Sequence, residues 1–152
     1  MYQQATKNID QYTKVLSLEF GLGQVIGFFK MFDGINDYFE VQYSLDNKKR
    51  LFCINQLNDI RLLSSKQAIT NALEQDTRFM KQLAVKVPST IEKNVLFIVN
   101  RIVKLINQKD LCATEEVLLD LSIESLIQEV KEVFNIDYVP AREIVKESLK
   151  IA

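Results

Sequence analysis

At 152 residues, 47% hydrophobic and 26% charged, the chain carries enough apolar material for one full-sized core or two small ones. Four glycines and two prolines speak against a disordered chain, and the absence of histidine removes the commonest general acid–base group. The net charge of −1 is unevenly spread: residues 61–109 carry nine basic against three acidic side chains, and residues 110–152 four against ten. The basic middle is either a nucleic-acid-facing surface or the electrostatic counterpart of the acidic end.

Residues 1–10 are polar and lack an apolar core segment, so no signal peptide is expected. Leu16, Leu18 and Phe20 then alternate with Ser17 and Glu19, which is strand periodicity. Gly21 and Gly23 predict a tight turn, and a second, two-sided apolar strand follows over 24–32. Gly27 within it marks a bend or bulge, and Asp33-Gly34 a turn. Phe39, Val41, Tyr43 and Leu45 alternate with Glu40 and Gln42 in a third strand over 38–45. Asp46-Asn47 turns the chain into a fourth strand over 48–54, where Arg50, Phe52 and Ile54 face away from Leu51 and Cys53. A short strand over 59–62 closes the set.

Five short strands within about fifty residues bury little as a flat sheet, and a strongly bent small barrel is the economical arrangement. The expected architecture is therefore α+β: a small SH3/Tudor-like β-barrel over residues 1–63, followed by an all-helical domain over 64–152.

The order of these pieces carries a resemblance. Gly21-x-Gly23 after the first strand, a turn near Gly34 and the strand YFEVQY come first. A short strand ending near Ile54, then IRLL with Arg61, and Ser64-Ser65 opening a helix complete it. Together, over about a third of the chain, they resemble the RNA-polymerase-interacting domain of CarD- and CdnL-type regulators and of the transcription-repair coupling factor. The resemblance implies docking on the β subunit of bacterial RNA polymerase through an exposed strand edge with flanking basic side chains. The matching positions here are Lys30, Arg50 and Phe52, with Lys48-Lys49-Arg50 as a charged rim. The same three cations also suit a solvated hairpin that discourages edge-to-edge aggregation. The chain departs from the family at Cys53-Ile54, where a proline is usual.

Beyond Ser64 and Ser65, both helix N-cap candidates, a helix is expected to about residue 86. Pro88-Ser89-Thr90 starts another, with Ile91, Val95, Ile98, Val99, Ile102, Leu105 and Ile106 on its apolar face. The opposite face gathers Lys93, Asn94, Phe97, Asn100, Arg101, Lys104, Asn107 and Gln108 without an acid. Lys93, Arg101 and Lys104 suit phosphate contacts there, and Phe97 a stacking or wedging role. The alternative is a solvated face whose Phe97 packs on a neighbouring helix. The CarD family's helical domain binds the minor groove with basic residues and a tryptophan wedge; this chain has no tryptophan.

Thr114 is expected to cap a short helix and Ser122 to open the next at Ile123, with Leu126, Ile127, Val130, Val133 and Phe134 on one face. After NIDYV, Pro140 fits the first turn of a final helix over 141–150. Cys53 and Cys112 are distant, in apolar settings and without metal-ligand spacing; buried, reduced thiols are expected rather than a disulfide. The most apolar run, over residues 95–106, is too short to span a bilayer and contains Arg101 and Lys104.

No nucleophile elbow, phosphate-binding loop, dinucleotide fingerprint or metal cluster occurs, so neither an enzyme nor a cofactor or small-molecule substrate is expected. Two functional classes follow. One is a cytoplasmic transcription regulator that docks on RNA polymerase β and touches DNA weakly and without sequence preference. The other is a protein-interaction or structural module with a Tudor-like head and no nucleic-acid role.

Overall fold

The computed structural model describes residues 11–30, 37–53, 60–74 and 95–151. The chain divides into two compact units, Met1–Leu62 and Leu63–Ala152. The first is a five-stranded antiparallel sheet and the second is helical, an α+β chain.

The strands are β1 (Lys14–Ser17), β2 (Gly21–Lys30), β3 (Asp37–Tyr43), β4 (Lys49–Cys53) and β5 (Ile60–Leu62), in the sheet order β4-β3-β2-β1-β5. The first hairpin turns at residues 18–20, earlier than the glycines suggest: Ser17 pairs with Gly21, and both Gly21 and Gly23 lie in β2. The two glycines serve different purposes. Gly21 takes the left-handed conformation, φ +78°, that closes a three-residue hairpin. Gly23 gives room, because a Cβ there would meet Val41 Cγ1 at 2.5 Å and Tyr43 Cδ1 at 2.9 Å. The expected bulge is present, with the β2–β3 register shifting between Val25 and Gly27.

Phe39, Val41 and Tyr43 are fully buried on one face of β3 together with Val25 of β2, and this face is called inner here. Leu45 does not join them; it is 85% exposed, because β3 stops at Tyr43 and Leu45 enters the turn. In that turn Asn47 adopts φ 56°, and the Asp46 carboxylate accepts from the Lys48 N–H at 3.0 Å. The Asp33-Gly34 turn lies outside the described residues.

The helical unit contains α1 (Lys66–Glu74), α2 (Val95–Ile106), α3 (Ala113–Phe134) and α4 (Tyr138–Leu149). The Ser65 hydroxyl accepts from the Ala68 N–H at 3.1 Å and caps α1. The helix expected to residue 86 is described as far as Glu74. Ile69, Ile102, Leu126, Val130 and Val145, one or more from each helix, share a single core.

Residues 113–134 form one helix where two were expected. Ser122 does not cap: it is fully buried mid-helix, and its hydroxyl donates to the Leu118 carbonyl at 2.6 Å. The cap position is Cys112, whose backbone N–H donates to the Glu115 carboxylate at 3.3 Å. Cys112 is accordingly exposed, not buried as expected; the Cys53 side chain lies outside the described residues. Asn135, at φ 52°, ends α3 in the left-handed conformation, and α4 begins at Tyr138, so the break is shorter than expected. Pro140 does sit in the first turn of α4. No helix of the described residues is long and apolar enough to cross a membrane.

Candidate functional site

Among the described strands β4 pairs with β3 alone, which makes it a sheet edge. The Tyr43 N–H donates to the Lys48 carbonyl at 2.9 Å, and hydrogen-bonded pairs recur every second residue in an antiparallel ladder. Arg50 opposite Val41 and Phe52 opposite Phe39 are therefore the bonded pairs. The backbone N–H and C=O groups of Lys49, Leu51 and Cys53 point away from β3, the geometry an incoming strand completes.

The two faces of this edge differ. On the inner face the Arg50 guanidinium lies over the Phe20 ring, 3.8 Å from its centroid. Phe20 packs on Tyr43 at 5.3 Å, Tyr43 meets Phe52 edge-on at 6.3 Å, and Phe52 stacks on Phe39 at 5.9 Å. This aromatic row seats the arginine, a cation–π contact worth about 0.5–2 kcal/mol. Asp46 approaches Arg50 at 3.7 Å, a long ion pair on two side chains about a third exposed (35% and 36%). The Arg50 Nε is buried without a hydrogen-bond acceptor.

The outer face mixes apolar and charged side chains. Leu51 is 53% exposed and Phe29 46%, with Tyr38 opposite Phe29 in the register. Glu40 lies opposite Leu51 on this face, exposed Lys49 opposite Gln42 shares it, and exposed Lys48 opposite Tyr43 falls on the Arg50 side.

The expected docking residues separate accordingly. Arg50 and Phe52 share the inner face, Phe52 being half-buried in ring contacts within the sheet unit. Lys30 ends β2, its backbone paired with Asp37, and its side chain lies outside the described residues. Leu51 and Phe20 were missed by the sequence reading. Alternation placed Leu51 on the other side of β4 from Arg50, but nothing local marked it as exposed, and Phe20 meets Arg50 only once β3 and β4 pair.

In the helical unit Lys93 lies outside the described residues. Phe97, Arg101 and Lys104 are on α2, with Lys104 exposed in its last turn. The Arg101 guanidinium stacks on the Phe97 ring, 4.6 Å from its centroid, and Phe97 packs against the helical core. Asn100 does not belong to the polar face where its spacing put it: it is buried, as is Val103. The apolar stripe of α2 is thus wider than the period suggests. Among the described residues no three His, Cys, Asp or Glu side chains gather as a metal-ligand group.

No protein-family model matches the chain, and a search of curated proteins finds no significant match.

Proposed function

We propose that this chain is a non-enzymatic, CarD-like transcription regulator of the bacterial cytoplasm. Its sheet unit is a small SH3/Tudor-like barrel that docks along β4 on the β subunit of RNA polymerase. The observation that supports this most is the β4 edge, with the backbone groups of Lys49, Leu51 and Cys53 directed away from β3. The choice of partner rests on the order of glycines, strands and Arg61 that resembles the polymerase-interacting domain. Arg50 on its aromatic seat and the exposed Lys48 and Lys49 supply the basic rim.

A second reading, a protein-interaction module with no nucleic-acid role, is favoured by one observation. Phe97 packs on the helical core beneath Arg101 rather than standing free as a wedge. On the first reading, DNA contact reduces to Arg101, Lys104 and Lys93 meeting phosphates.

The test is a binding titration of the full chain against purified RNA polymerase β subunit. The parent chain binds; Leu51→Asp and Arg50→Glu each lower affinity at least about tenfold, a loss of about 1.4 kcal/mol. Absence of binding by the parent, or equal binding by both variants, removes the docking proposal.

A further inference from the structure

We infer that the outer face of the sheet binds single-stranded nucleic acid, with bases on Phe29, phosphates at Lys14 and Lys49, and a preference for bases that carry an amino group. This goes beyond edge docking, because a strand added at β4 leaves that face uncovered.

The bulge in β2 creates the face. Val25 points inward, so strict alternation sends residues 27 and 29 inward as well. The register shift between Val25 and Gly27 reverses this: Gly27 pairs with Glu40 and Phe29 with Tyr38, on the outer face. Bulges re-aim side chains in this way beside functional sites. Gly27 leaves a gap that the Phe29 ring fills, its Cε2 and Cζ lying 3.5 Å from where a Cβ of Gly27 would stand. Side chains two apart on one strand stand about 7 Å from each other, so this ring is laid back along β2 rather than upright. It is still 46% exposed, with Tyr38 beside it. An exposed ring laid on a sheet is a platform on which a base stacks.

A polar row runs beside the platform. Lys14 pairs with Gln24, Gln24 with Gln42, and Gln42 with Lys49, which aligns the four across four strands of this face. Neighbouring strands are about 4.8 Å apart, so the exposed lysines at the two ends of the row are about 14 Å apart. A nucleic-acid backbone crossing the sheet along this row meets a cation at each end and amides between. Glu40 follows two residues from Gln42 along β3, which sets the ring over Gly27 about 7 Å from the row, within reach of a base on that backbone. Glu40, opposite Gly27, repels phosphate and accepts from an exocyclic amino group. Cytosine offers that donor, whereas thymine presents a carbonyl at the same position. An apolar protein surface placed here buries the lysines and amides without partners, at a cost. Leu16 and Arg61 are buried on the same face, which bounds its open part at β1.

Fluorescence anisotropy of the full chain with short labelled oligo-dC and oligo-dT strands tests this. Oligo-dC binds about fivefold more tightly than oligo-dT, and Glu40→Ala removes the difference. Lys14→Ala and Lys49→Ala each flatten the salt slope by about 0.7, the share of one phosphate on a single strand. Phe29→Leu, which still covers Gly27, lowers affinity at least about tenfold, and Phe29→Tyr retains it. Thermal melts establish that both variants are folded. Absence of salt-sensitive binding overturns the inference and leaves the face to a protein partner. A Phe29→Leu affinity equal to the parent's overturns it by putting single strands elsewhere on the chain. Equal affinity for the two strands, or a loss in Phe29→Tyr as large as in Phe29→Leu, overturns it as well.

Discussion

The backbone N–H of Ser64 donates at 2.7 Å to the carboxylate of Glu129, a residue 65 positions later and fully buried in the C-terminal half of α3. The Ser64 hydroxyl in turn accepts from the Val95 N–H at 3.3 Å, at the first residue of α2. One serine and one glutamate thus join the entry to α1, the start of α2 and the C-terminal half of α3. A donor at a helix start has no intrahelical acceptor, so a side chain must supply one.

Removing that carboxylate has a graded cost. Glu129→Gln keeps an acceptor for Ser64 and is expected to lose about 1–2 kcal/mol. Glu129→Ala leaves the Ser64 N–H without it and opens a hole in the core, losing about 3–5 kcal/mol. Urea denaturation followed by far-ultraviolet circular dichroism measures both. Equal losses for the two variants would show that side-chain volume, not the hydrogen bond, decides the stability.

The glycines of β2 give a second, sharper contrast. Gly23→Ala forces a Cβ to within 2.5 Å of Val41 Cγ1, a stiff, fully buried side chain, and is expected to cost about 1–3 kcal/mol. Gly21→Ala meets no atom within 4 Å, yet φ +78° costs an alanine about 1–2 kcal/mol. Gly27→Ala meets only the Phe29 ring at an ordinary 3.5 Å and is expected to fall within about 0.5 kcal/mol of the parent. Thermal melts of the three variants check the order, and a Gly27→Ala loss as large as that of Gly23→Ala would contradict it.

These glycines also show what the sequence could reveal. The strand pattern and the Gly27 bulge were legible because each is local, a period of two and a residue without side chain inside it. The first turn was misplaced because a glycine signals freedom of φ and closeness of a neighbour alike, and only the pairing with β3 separates Gly21 from Gly23. Ser122 read as a cap because its hydroxyl bonds backbone in either setting; that it bonds Leu118 follows from burial, which is a tertiary property. The Arg50–Phe20 contact joins residues thirty positions apart and had no local signature. Arg50 itself was legible as a charge, and its seat was not.

The start of α3 carries a pH-dependent contribution. Hydrogen bonds from the Cys112 side chain and then its backbone N–H, followed by Gln108, hold the Glu115 carboxyl below the usual glutamate range. A carboxyl whose folded value is depressed adds stability above its unfolded value, and that stability is lost as pH falls through the folded one. The effect is small because Glu115 is solvent-screened. In a carboxyl-carbon NMR titration Glu115 is expected to titrate below the usual glutamate range, and Cys112→Ala to move it upward by removing the first of its donors. No upward movement would mean that the thiol is not the donor that matters.

The face of α2 separates packing from nucleic-acid contact. Arg101 lies over Phe97 at 4.6 Å, so Arg101→Ala uncovers an aromatic ring and is expected to cost about 0.5–1 kcal/mol of stability. Lys104 is exposed in the last turn, and Lys104→Ala is expected to change stability by less than about 0.5 kcal/mol. If both cations meet phosphates, each substitution weakens DNA binding regardless of sequence and flattens the salt slope by roughly one unit. The expected result for the parent chain is weak, salt-sensitive binding, because few cations share this face. The acidic stretch over 110–152, four basic against ten acidic side chains, opposes it further. Lys104→Ala is the cleaner probe, since it alters the slope without disturbing the Phe97 packing. A parent chain that binds no duplex DNA even at low ionic strength makes the helical unit a scaffold, and the reading without a nucleic-acid role takes its place.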